Sequence, residues 1–143
     1  MKDFVNATDR DVDFNDMANL QHYLGIIRRF DLQERVETLD TEVHVVRMGS
    51  VAFATSPFEL FLDYANQIKA RQLCEQSFLV QLCCGSEGYL PTEKAEKHGH
   101  YSAFIPSGFT GHEGGDQLVR ETLKDINRMF ENDYKVYTYA DEK

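Results

Sequence analysis

A chain of 143 residues is long enough for one domain with its own core. Its 42% apolar and 27% charged residues are a globular composition. A formal net charge of −9 opposes non-specific nucleic-acid binding and docking on anionic lipid, both of which need a basic surface.

No stretch approaches the roughly 18 apolar residues of a membrane helix. The opening MKDFVNATDRDVDFND is too polar and acidic for a signal peptide. The expectation is a soluble domain without membrane insertion, its compartment left open. Alternating acids in DRDVDFND resemble a calcium loop, but Phe14 and Leu20 stand where an EF-hand needs Gly and Glu. Asp13 or Asn15 reads instead as a helix N-cap. From Phe14 to about Glu37, Met17, Leu20, Leu24, Ile27 and Leu32 recur near helical spacing, with Gly25 weakening or bending the helix.

TEVHVVRMG alternates, placing Val43 and Val45 on one face, and Gly49-Ser50 signals a two-residue hairpin into SVAFAT. Ser56-Pro57 predicts a helix start, with a helix from about Phe58 to Gln72 carrying Leu60, Phe61, Tyr64, Ala65 and Ile68 on one side. SFLVQLCC is a continuous apolar run, the pattern of a strand covered on both faces. A glycine-rich loop, CCGSEGYLPTEKAEKHGHY, follows. YSAFIP predicts an edge strand ended by Pro106. GGDQLVRETLKDINRMF predicts a helix with Leu118, Val119, Leu123, Ile126 and Phe130 inward, and YKVYTYADEK a short terminal strand. This order predicts an α/β fold, with α+β as the alternative, having a small mixed sheet and about three helices packed on it. Residues 1–143 read as one domain, with 1–40 as an N-terminal helical segment.

Ligands of open α/β sheets sit beyond the carboxyl ends of strands. The junction FATSPFELF and the loop after SFLVQLCC are such places, and they share one edge if their strands are parallel neighbours. Glu59 is then expected in the first turn of a helix, facing the loop that holds Tyr89, as a dipole partner or a ligand. His98 and His100, with His112 and Glu113 further on, suggest a second metal set if a strand places both rings on one face, and solvated loop histidines otherwise. Cys74, Cys83 and Cys84 are odd in number with no C-x-x-C pair, which disfavours a disulfide framework or thiolate zinc site and reads as small buried hydrophobes. No G-x-S-x-G elbow supports a serine hydrolase.

VRMGSVAFATSPFELFLDYANQIKAR, then SFLVQLCCGSEGYLPTEKAEKHGHY and GHEGGDQLVRETL, resembles the last part of the catalytic domain of neutral/alkaline ceramidases, and more closely their uncharacterised bacterial relatives. The likeness spans roughly Glu42 to Phe130; the first forty residues have no counterpart. In that family a Pro-Gly-Glu motif and a tyrosine of an N-x-Y-x-x-Y-x-T loop ligate zinc, and a QRYE tyrosine lies near the scissile amide. The matching residues are Pro57-Phe58-Glu59, Tyr89 of GSEGYLPT and Tyr101 of GHYS. The resemblance therefore implies Glu59 and Tyr89 as metal ligands, Tyr101 as a catalytic hydrogen-bonding group, and zinc as cofactor with an incomplete ligand set in this chain. Phe58, Gly85, Ser86 and Ser102 depart from the family pattern, and its zinc histidines lie in upstream segments with no counterpart here.

What this implies is the C-terminal portion of a zinc amidohydrolase, cleaving C–N amide bonds but not catalytically complete alone, partnered by the missing upstream half. The alternative is a non-catalytic interaction module of the same fold, forming a homodimer through an apolar face.

Overall fold

A computed structural model of the protein describes residues 13–135. The chain forms two compact units, residues 1–37 and 38–143.

The first unit holds helix α1, Phe14–Gln33. Asp13 is its N-cap. The Asp13 carboxylate accepts from the Asp16 backbone N–H at 2.8 Å, and the Asp16 carboxylate accepts from the Asp13 N–H at 3.4 Å. This reciprocal box satisfies two amides that the helix start leaves without intrahelical partners. The helix runs through Gly25 and ends at Gln33, short of Glu37. None of its residues is fully buried, and Phe14, Met17, Tyr23 and Phe30 are exposed.

The second unit begins with an antiparallel hairpin of β1, Val45–Met48, and β2, Val51–Thr55, with Val45 opposite Ala54 and Met48 opposite Val51. Gly49 makes the turn with φ of +62°, a conformation glycine adopts without a Cβ clash. After β2 come β3, Glu59–Leu60, helix α2, Leu62–Lys69, and β4, Gln76–Val80. β4 lies parallel to β2, so the sheet order is β1-β2-β4. β5, Tyr89–Leu90, pairs in parallel with β3 as a second, two-stranded sheet. Helices α3, Glu93–Lys97, and α4, His112–Lys135, complete the unit. The result is a small α/β fold with a mixed sheet and, among the described residues of this unit, three α-helices.

Alternation on the strands divides the sheet into two faces. Ala52, Ala54 and Ser77 point to the helices and are buried, and their small size lets α2 and α4 approach closely. Tyr64 and Ile68 of α2 meet Val119, Leu123, Ile126 and Phe130 of α4 there. The i, i+3, i+4 spacing of the α4 set is the amphipathic stripe expected of a helix with one buried face. Arg47 fastens α4 to β1: its guanidinium stands 4.1 Å from the Phe130 ring centroid and donates to the Met129 carbonyl and the Asp133 carboxylate.

On the other face, Val46, Met48, Phe78 and Val80 are exposed, and Phe53 stacks on Phe78 at 5.1 Å between centroids. The apolar run of β4 therefore has one covered face, not two. Three further expectations are corrected. The helix predicted from Phe58 starts only at Leu62, because Glu59 and Leu60 are drawn into the ladder with β5. YSAFIP is not a strand but two 3-10 turns, Tyr101–Ala103 and Ile105–Ser107. In the first, the His100 ring nitrogen accepts from the Ser102 N–H at 3.3 Å, a local bond that competes with strand pairing. The terminal strand expected from Tyr134 gives way at Tyr134 and Lys135 to the end of α4; the remainder lies outside the described residues.

Candidate functional site

Two chain segments leave the carboxyl ends of the parallel neighbours β2 and β4 and stay zipped together. The Ser56 N–H donates to the Val80 carbonyl, Cys83 to Ser56, Glu87 to Pro57 and Glu59 to Gly88, each at 2.9 to 3.0 Å. The Leu60 N–H donates to the Gln81 side chain at 2.6 Å. Phe58, which stands where the ceramidase motif has glycine, is 3% exposed and belongs to the core.

This zipper sets the register of Glu59 against Tyr89. Neighbours in register present side chains on the same face of a ladder, so carboxylate and phenol meet although 30 positions separate them. Tyr89 is held above the ordinary tyrosine range, first by its hydrogen bond to the Glu59 carboxylate, then by that carboxylate's charge. Burial and Tyr101 add to the shift. The Tyr101 ring lies edge-on to Tyr89, 5.9 Å between centroids and 70° between planes, and is largely exposed. Close packing behind β5 fixes this edge. Gly88 has φ of +72° and a Cβ there would stand 2.4 Å from the Ser107 carbonyl; one on Gly108 would stand 2.0 Å from the Tyr89 carbonyl. Only glycines allow strand β5 and the Ser107-Gly108 segment to pass so closely.

The structure thus brings Glu59, Tyr89 and Tyr101 together, with Glu59 on a short strand and not in a helix turn. They do not by themselves fit zinc, which takes four ligands in structural sites and three plus water in catalytic ones. Glu59 and Tyr89 offer two. Among the described residues, Glu59 belongs to no group of three His, Cys, Asp or Glu side chains close enough to share an ion.

Nor does the structure gather His98, His100, His112 and Glu113 into such a group. His112 opens α4 and is held by Glu96 of α3: its backbone N–H donates to Glu96 Oε1 at 2.8 Å and its Nδ1 lies 2.6 Å from Oε2. That contact raises the His112 pKa, against a smaller lowering by burial. His100 packs edge-on to Phe61 at 5.7 Å. His98 caps the end of α3.

Of the cysteines, Cys74 is buried as expected, whereas Cys83 is half-buried and Cys84 exposed. Their sulfurs are 3.8 Å apart, and the Cys84 thiol is pushed up first by its hydrogen bond with Cys83. Cys84 also meets Glu42 and His44, a cluster that sequence reasoning missed. The available signal was the Glu42-x-His44 spacing, which on extended chain would point both side chains to one side, where the structure has them in contact at 2.6 Å.

A groove between α2 and α4, lined by Gln67, Arg71, Arg120 and Lys124, lies on the helical face. Its cations are engaged by Gln67 and Glu121.

No protein-family model, curated protein or solved structure matches the chain.

Proposed function

We propose that residues 38–135 provide the carboxylate–phenol edge of a metal-dependent amide hydrolase of the ceramidase-like class. The meeting of Glu59 and Tyr89, with Tyr101 edge-on beside them, supports this reading most directly. These are the residues that the likeness of SPFE, GYLPT and GHYS to that family singles out. Glu59 and Tyr89 supply two donors, and the remaining ligands come from outside the described residues. The substrate class is an amide. The departures at Gly85, Ser86 and Ser102 favour an amide other than ceramide.

Free imidazole can stand in for missing histidine ligands. Zinc added with imidazole is expected to ionise Tyr89 and produce tyrosinate difference absorption. Tyr89→Phe and Glu59→Gln should abolish the signal, and Cys84→Ser should leave it. No tyrosinate signal in the parent chain, or one that persists in Tyr89→Phe, defeats the proposal.

The open sheet face favours a second reading, a non-catalytic module that pairs with another copy of itself. Val46, Phe53 and Phe78 are cross-strand neighbours there, flanked by Met48 and Val80. Contiguous apolar surface of this kind marks interaction sites. Light scattering coupled to size exclusion should give a dimer that Phe78→Asp converts to monomer. A monomeric parent chain removes this reading.

A further inference from the structure

We propose that Glu42, His44 and Cys84 form a binding site for a zinc-class transition-metal ion, separate from the Glu59–Tyr89 pair. His44 Nε2 lies 2.6 Å from Glu42 Oε1. A carboxylate oxygen, an imidazole nitrogen and the Cys84 sulfur all lie within 4.8 Å of one another. Donors held about 2.0–2.3 Å from a tetrahedral zinc stand roughly 3.3–3.8 Å apart. The ion therefore has to spread the carboxylate and imidazole, and the thiol needs to move in by no more than about an ångström, adjustments that rotamer changes of three exposed side chains supply.

Two separate stretches of chain deliver these donors, and backbone hydrogen bonds hold the two together. The His44 N–H donates to Thr55 Oγ1 at 2.8 Å, and the Thr55 N–H returns a bond to the His44 carbonyl at 2.9 Å. The Cys83 N–H is bound to the carbonyl of the next residue, Ser56, at 3.0 Å. Glu42 lies two positions before His44, and the 2.6 Å contact between their side chains shows that both face the same way. Leu82 and Cys84 take φ of +52° and +64°, a region that residues with a Cβ seldom occupy. This turn brings the Cys84 thiol back toward His44 instead of continuing the line of β4.

The donor chemistry selects the ion. Magnesium and calcium take oxygen ligands, and one carboxylate among a nitrogen and a sulfur does not suit them. Mixed imidazole, thiolate and carboxylate donors suit zinc and its neighbours in the first transition row. Three protein ligands on an exposed surface leave the fourth position to water. Cys83 stays outside the coordinating set.

Cobalt(II) is the probe, because thiolate coordination gives it a charge-transfer absorption that oxygen and nitrogen ligands do not. Titration of the full chain should show this band, saturating at one equivalent and lost on adding zinc. Cys84→Ser should abolish it. His44→Ala and Glu42→Gln should weaken binding by more than about tenfold, beyond the usual cost of losing even an outer-shell partner. Cys83→Ser and Glu59→Gln should retain it, and all variants should keep the parent circular dichroism, since the exchanged side chains lie outside the core. The absence of a charge-transfer band overturns the proposal. So does a band that survives Cys84→Ser or that disappears in Cys83→Ser.

Discussion

Gly115 sits where α4 crosses α2, and Gly115→Ala tests the packing that holds the candidate site. Gly115 is buried, and a Cβ built on it would stand 2.2 Å from both Cζ and Oη of Tyr64 and 2.8 Å from Cε1. Tyr64 is 1% exposed and its hydroxyl donates to the Pro91 carbonyl at 2.6 Å. The ring can swing aside only by weakening that bond, so relief comes partly from the ring and partly from α4 backing away from α2, by roughly an ångström in all. Overpacking of this kind costs about 1–3 kcal/mol. Weakening the Tyr64–Pro91 bond adds about 1 kcal/mol. Better helix propensity of alanine returns about 1 kcal/mol. The net expectation is about 1–3 kcal/mol of destabilisation, read by urea unfolding as a lower midpoint at unchanged slope. Tyr64→Leu should absorb part of the loss, so the double variant should fall less than the two single losses together. An alanine variant as stable as the parent, or more so, refutes the close approach of the two helices. The effect should reach the site, because Pro91 directly follows β5 and a displaced Tyr64 releases its hold on the strand that carries Tyr89.

Two further outcomes follow from the ionisable pairs. Glu59→Gln removes the carboxylate that holds the Tyr89 phenol up, so Tyr89 should ionise closer to the ordinary value of about 10. Ultraviolet difference titration, with Tyr89→Phe as the blank that identifies its contribution, reads this, and an unmoved titration denies that the two groups interact. His112 is raised by Glu96, so its contribution to stability is complete below the unfolded imidazole pKa of about 6.5 and is lost as pH rises through the folded value. Thermal unfolding from pH 6 to 8 should show that decline, and Glu96→Gln should flatten it while Gln retains an oxygen to accept from the His112 N–H. An equal slope in parent and variant contradicts the pairing.

How much was legible depended on how local each signal was. Gly49-Ser50 announced the hairpin, and the spacing of Val119, Leu123, Ile126 and Phe130 announced the buried stripe of α4. Parallel pairing of β2 and β4 follows from an intervening helix, and with it the shared edge on which Glu59 and Tyr89 meet. The two-residue strands β3 and β5 left no periodicity to read. SPFELFLDY looks helical throughout, and only the zipper with residues 80–90 pulls Glu59 and Leu60 out of the helix. A run such as SFLVQL reports apolarity but not what covers each face, so the open side of the sheet was invisible. The meeting of Cys84 with His44 spans 40 positions and rests on two left-handed residues, Leu82 and Cys84, neither of which is a glycine that would have signalled the turn. His112 looked free for a metal because Glu96, its partner, lies 16 positions earlier on another helix.

Glu59 and Tyr89 are proposed above as two donors of a metal site completed from elsewhere. Anomalous diffraction at the zinc absorption edge, from crystals of the chain grown with zinc and imidazole, tests it most directly. An anomalous peak is expected within bonding distance of both the Glu59 carboxylate and the Tyr89 hydroxyl, about 2 Å from each. Zinc bound only elsewhere, with neither the Glu59 carboxylate nor the Tyr89 hydroxyl within bonding distance of an ion, would overturn it.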